Sequence, residues 1–157
     1  MNLSIVVPVY NSSSIIENLT KDILSVIEKT PNVNKIQLIL VNDCSTDESW
    51  KKISKLSSEY EDIVIGINLM RNYGQHNAIM AGLRLAQGDY IILIDDDYQH
   101  PPKEIPKILS KIKEGYDVCY TNYKNNTYSK LKIFGSWINR KISNILIDKP
   151  KSIYLSS

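Results

Sequence analysis

A mostly parallel β-sheet covered by helices is the fold class this sequence predicts. Short apolar, β-branched runs alternate with segments of helical spacing, Gly and Pro punctuate the changes, and no apolar run approaches the roughly 18 residues of a membrane-spanning helix. Residues 3–9 (LSIVVPV) read as a strand buried on both faces and closed by Tyr10 and Asn11. Ser14 and Glu17 have capping-box spacing for a helix running to about Thr30. Residues 35–41 (KIQLILV) are the second strand, and Ser45 with Glu48 repeats the capping signal for a helix reaching about Tyr60. The third strand is 63–69. Residues 75–87 set small and apolar side chains along one helical stripe, which Gly88 can end. Residues 89–94 (DYIILI) are the fourth strand. Pro101 and Pro102 suit the first turn of a helix running to Gly115, and 116–121 make a candidate fifth strand.

The composition is that of one globular domain: 157 residues, 43% hydrophobic and 23% charged, with a formal net charge of +2. A chain of this length needs neither metal nor disulfide to complete its core, so a bound metal would be functional. Cys44 and Cys119 lack CxxC spacing and read as free intracellular thiols. The opening MNLSIVVPVY lacks the basic start and cleavage site of a secretory signal, which makes a cytoplasmic location the default. Charge is uneven along the chain. Residues 1–123 carry 12 Lys and Arg against 16 Asp and Glu, whereas 124–157 carry 7 against 1. Within that basic segment, 129–147 space Leu131, Phe134, Ile138, Ile142 and Ile145 as an amphipathic helix with Lys130, Lys132, Arg140 and Lys141 on its polar side. Such a helix suits either a protein core or an anionic lipid surface. The expected division is a core over 1–123 and a basic segment over 124–157.

In parallel sheets flanked by helices, ligands bind beyond the carboxyl ends of the strands. Those ends read Pro8-Val9-Tyr10-Asn11, Asn42-Asp43-Cys44-Ser45-Thr46-Asp47, Arg71-Asn72-Tyr73-Gly74 and Asp95-Asp96-Asp97-Tyr98-Gln99. Three adjacent carboxylates repel one another, and a divalent cation relieves the repulsion; a solvated acidic loop is the plainer alternative. Asp95 and Asp97, two apart, can face one way with Gln99 while Asp96 faces elsewhere, and such hard oxygens suit Mg²⁺ or Mn²⁺. Asp43 either caps the following helix or accepts a ring N–H of a nucleobase, and Tyr10 either covers the sheet rim or offers a stacking face. Arg71 is a cation for phosphate or an ordinary surface charge, and Gly74 precedes a helix whose N-terminus suits an anion. His76 and His100 lack metal-ligand spacing and read as surface residues. The absence of GxSxG, GxGxxG and GxxxxGK[ST] argues against a serine hydrolase, a standard dinucleotide site and a P-loop.

Together, VPVYN, VNDCSTDES, RNYGQHNAIMAGL and GDYIILIDDDYQHPP resemble the inverting glycosyltransferases of family 2, which have the GT-A fold, a Rossmann-like three-layer α/β sandwich. RNYGQHNAIMAGL and DDDYQHPPKEIP are most similar to the polyprenol-phosphate branch, which includes dolichyl-phosphate mannose synthase and the undecaprenyl-phosphate glucosyl and aminoarabinose transferases. The resemblance implies transfer from a nucleotide-diphosphate sugar, UDP favoured over GDP, to a polyprenyl phosphate or a growing glycan. It implies that Pro8 and Tyr10 line the nucleoside pocket, that Asp43 binds the base and that Asp95, Asp97 and Gln99 hold Mg²⁺ or Mn²⁺; Asn11, Arg71, Gly74, Asp95 and Asp96 at the strand ends complete the expected nucleotide-sugar site, and Asp97 is the expected catalytic residue. An acceptor phosphate is already anionic, so no catalytic base is assigned. Asn42 and Cys44 replace the acidic residue and glycine usual in the second motif, and Tyr123 stands about where relatives carry a phosphate-contacting arginine. Relatives continue beyond the equivalent of Ser157, which implies a C-terminally truncated chain whose full-length form sits at the inner face of the cell membrane. No nucleic-acid partner is expected, and a homo-oligomer is compatible with these features. A silent nucleotide-sugar-binding fragment lacking its acceptor half is the alternative.

Overall fold

The computed structural model describes residues 1–99 and 101–121. His100, Tyr123 and the expected amphipathic helix at 129–147 lie outside the described residues. Met1–Cys119 form one compact unit. Its elements are β1 (Asn2–Val9), α1 (Ile16–Glu28), β2 (Lys35–Asn42), α2 (Ser49–Glu59), β3 (Val64–Asn68), α3 (Gln75–Leu83), β4 (Tyr90–Leu93), a 3₁₀ turn (Pro102–Glu104) and α4 (Ile105–Ile112). The four strands are parallel and ordered β3-β2-β1-β4. The chain therefore steps outward from β1 through β2 to β3 and then returns to the other side of β1. That reversal opens a crevice between the loops after β1 and β4, where ligands bind in such sheets.

Helices pack on both faces of the sheet, although Ile91 and Leu93 of β4 are 45% and 50% exposed among the described residues. Leu3, Ile5, Val7 and Val9 of β1 join Leu38, Leu40, Val64, Ile92 and Ile94 in one buried layer against Ile16, Leu19, Ile23 and Ile27 of α1, Ile53 and Leu56 of α2, and Ile105 and Leu109 of α4. Complete burial of each such side chain is favourable by about 1.5–3 kcal/mol relative to exposure. Val6, Ile39 and Val41 face the other way, onto Ala78 of α3. Here α3 lies unusually close: a Cβ on Gly82 would fall 2.4 Å from Cγ1 of Val6 and 3.1 Å from Cγ2 of Val41.

Pro8 occupies a central strand, where a missing N–H normally breaks the ladder. The alternation resolves this. Val6 O accepts from Ile94 N on the β4 side, while Val9 O accepts from Asp43 N on the β2 side. Pro8, two residues after Val6, therefore turns its nitrogen toward β4, whose pairing with β1 spans Leu3 to Val6.

Three expectations are corrected. Residues 116–121 form no strand, and Tyr116, Val118 and Tyr120 are 59%, 63% and 76% exposed; an apolar alternation becomes a strand only where a neighbour offers a ladder. Helix α3 ends at Leu83 rather than near Gln87. Beyond it, Ser4 Oγ accepts from Gln87 N (3.2 Å) and Gly88 N (2.9 Å), and Gln37 Oε1 also accepts from Gln87 N (3.0 Å), so polar groups of the sheet capture the chain. Neither capping box forms: the N-caps are Ile15 and Glu48, without side-chain cap bonds. Glu17 reaches instead to Lys52 (2.8 Å) and Lys55 (3.8 Å) on α2. Among the described residues, no helix is long and apolar enough to cross a membrane.

Candidate functional site

Ser45, which caps no helix, joins Asn11, Ser12, Asp47 and Ser49 in tying the first two strand-end loops together. Asn11, in the left-handed region at φ 54°, donates its N–H to Ser45 Oγ (2.9 Å), and its Oδ1 accepts from Thr46 N (2.8 Å). Ser12 N donates to Ser49 Oγ (2.9 Å). The Asp47 carboxylate accepts from Ser13 N and Ser49 N, both at 2.9 Å. Burial raises the Asp47 pKa, but the hydrogen bonds from Ser49 and Ser13 outweigh it and hold the carboxyl well below the usual carboxylate range.

Asp43, at the end of β2, is 3% exposed. Its Oδ1 accepts from Tyr73 N (2.8 Å) and its Oδ2 from Gly74 N (2.9 Å). The carboxylate thereby fixes the loop after β3, where Gly74 takes φ 86° and opens α3. This contact is neither the helix cap nor the base contact weighed from sequence, although each oxygen retains a second lone pair for a ligand donor. Beside it, the Arg71 guanidinium stacks 4.7 Å from the centre of the Tyr73 ring.

The acidic loop after β4 is tied to three different elements. Asp95 Oδ1 accepts from Gln75 Nε2 (2.7 Å) at the start of α3. Asp96 Oδ2 accepts from Tyr10 N (3.0 Å) and from Ser12 Oγ, which joins this loop to the one after β1 across the crevice. Asp97 is exposed and its Oδ1 accepts from Gln99 N (2.9 Å). Tyr98, at φ 60°, donates its hydroxyl to Asp22 Oδ2 of α1 at 2.7 Å. Burial, with the neighbouring Asp22 carboxylate, pushes the Tyr98 phenol up to about 12.

All the sequence-selected residues thus lie at the carboxyl rim of the sheet, but their local roles differ. Pro8 is buried in β1, Tyr10 is half exposed, and Arg71, Asp97 and Gln99 are exposed. Asn11, Asp43 and Asp96 each carry loop-to-loop hydrogen bonds. Among the described residues, no three His, Cys, Asp or Glu side chains group as a metal site. The donor chemistry of Asp95, Asp97 and Gln99 nevertheless fits a hard divalent ion, since carboxylate and amide oxygens leave coordination positions for phosphate. Sequence reasoning missed Ser12, Gln75 and Asp22. These are ordinary polar residues whose partners lie 84, 20 and 76 positions away, so no local spacing signals them.

The sequence pattern of Glycosyl transferase family 2 matches residues 4–154. The chain belongs to that family. It is 39% identical over 154 residues to the undecaprenyl-phosphate 4-deoxy-4-formamido-L-arabinose transferase of Shewanella sediminis (strain HAW-EB3), covering 98% of this chain and 45% of that protein. The chain thus spans less than half the length of that relative. Among solved structures, S. aureus TarS 1-349 in complex with UDP-GlcNAc aligns with a TM-score of 0.53 at 24% identity, covering 80% of this chain and 39% of the other. Mannosyltransferase PcManGT from Pyrobaculum calidifontis, in complex with GDP-Man and Mn²⁺, gives a TM-score of 0.54 at 20% identity and covers 65% and 29%. This family 2 chain has the GT-A fold, as its parallel, helix-covered sheet was expected to have.

Proposed function

We propose that this chain is the donor-binding part of a metal-dependent, inverting glycosyltransferase that moves a sugar from a nucleotide diphosphate, UDP by preference, to a polyprenyl phosphate. The observation carrying this reading is the 39% identity, over almost the whole chain, to a relative named as an undecaprenyl-phosphate sugar transferase. The rim supports it chemically. Tyr10 offers a half-exposed aromatic face for the base, Asp43 a remaining acceptor lone pair, and Arg71 a cation for phosphate.

Asp95, Asp97 and Gln99 would hold Mg²⁺ or Mn²⁺, which when bound supplies positive charge against the diphosphate as it departs. The acceptor phosphate is already ionised, so the protein's share is to orient donor and acceptor for attack on the opposite face of the anomeric carbon. With a lipid-phosphate acceptor the proposed place of work is a membrane surface, read here as the cytoplasmic one. The test is transfer from a UDP-sugar to polyprenyl phosphate in detergent with Mn²⁺. A product of inverted anomeric configuration supports the proposal, and retained configuration refutes it. Metal-dependent binding without transfer favours a donor-binding unit that is silent by itself.

A further inference from the structure

We propose that Tyr98 and Asp22 are a positioning pair: their hydrogen bond holds the loop bearing Asp95 and Asp97 in the arrangement that receives the donor diphosphate. The inference rests on the function proposed above. After Ile94, whose N–H bonds Val6 O at 3.1 Å, the chain leaves the sheet, and side chains hold the loop at three points. Two of them, Asp95 to Gln75 and Asp96 to Tyr10 N and Ser12, use the loop's own carboxylates. The third, Tyr98 Oη to Asp22 at 2.7 Å, uses none of them and reaches α1, which contributes no residue to the donor site.

Two features indicate that this contact is built. Tyr98 sits at φ 60°, a conformation costly for an aromatic residue that persists only where its surroundings over-determine it, and its ring packs against the main core. Asp22 lies on α1, 76 positions away in sequence, and its Oδ2 gives the phenol a charged acceptor at 2.7 Å.

Tyr98→Phe keeps the ring and removes the bond, Asp22→Ala removes the acceptor, and Asp22→Asn retains an acceptor oxygen. Amide hydrogen exchange at 95–99 without ligand is measured alongside calorimetric titration of a UDP-sugar with Mn²⁺. Tyr98→Phe and Asp22→Ala should each speed exchange at 95–99 and weaken metal-dependent binding by about fivefold to tenfold. The double variant should be no weaker than either single one, and Asp22→Asn should stay near wild type. Altered unfolding midpoints with unchanged affinity would overturn the proposal, because a merely structural contact behaves that way. A wild-type chain that binds no UDP-sugar with Mn²⁺ overturns the functional reading, whereas unchanged exchange at 95–99 in Tyr98→Phe overturns the positioning pair whether or not the donor binds.

Discussion

Replacing Asp43 by Asn separates a fold-holding carboxylate from one kept for ligand alone. Asp43 is 3% exposed and accepts from two backbone N–H groups, Tyr73 at 2.8 Å and Gly74 at 2.9 Å. Each is a charge-assisted bond of about 1.5–3 kcal/mol net. In the variant, one bond survives as a neutral one, and the new NH₂ faces the other N–H, leaving two donors opposed. The expected loss is about 2–4 kcal/mol. For a unit of this size each kcal/mol lowers Tm by roughly 4 °C, so the midpoint should fall by about 8–16 °C. Urea and thermal unfolding at pH 7, followed by circular dichroism, measure both. Asp97→Asn is the control: Asp97 is exposed and its bond is local to Gln99, so stability should stay within about 0.5 kcal/mol of wild type. An Asp43→Asn protein as stable as wild type would refute the argument that this carboxylate fixes the loop after β3.

Two other predictions concern stability. The Asp47 pKa is depressed below its ordinary 3.8 in the folded chain, so its stabilisation is present above that value and is lost as pH falls below it. Asp47→Asn should flatten the acid limb of the urea midpoint between about pH 5 and pH 2, and an unchanged slope contradicts this. Gly82→Ala should destabilise by about 1–3 kcal/mol despite the better helix propensity of Ala, because the added Cβ meets Val6 Cγ1 at 2.4 Å; a raised unfolding midpoint contradicts it.

How far the sequence discloses this molecule depends on the range of the interactions. Strands such as 3–9 and 35–41 are legible because burial on both faces writes continuous apolar runs, and their alternation with helices fixes a parallel sheet. The rim is legible for the same reason: once strand ends are located, Tyr10, Asp43, Arg71 and Asp95 fall at one edge. The uses of those groups are not. Ser14 and Ser45 have capping spacing, yet tertiary partners displace the local bonds, with Ser45 taken by Asn11 and Glu17 by Lys52. The early end of α3 depends on Ser4, which is more than 80 residues away from its partners Gln87 and Gly88. Asp96, read among the donor-binding groups, bonds Tyr10 N and Ser12, and no periodicity encodes a contact across a crevice.

The central claim, that the rim binds a nucleotide sugar through a metal held by the acidic loop, is tested most directly by calorimetric titration of this chain with UDP, GDP and their sugar conjugates. Each titration is run with Mn²⁺ and with chelator, for wild type and Asp97→Asn. Binding of UDP or a UDP-sugar that needs Mn²⁺ and is lost in a folded Asp97→Asn chain is the expected result. Equal binding with chelator, or undiminished binding by Asp97→Asn, would contradict it.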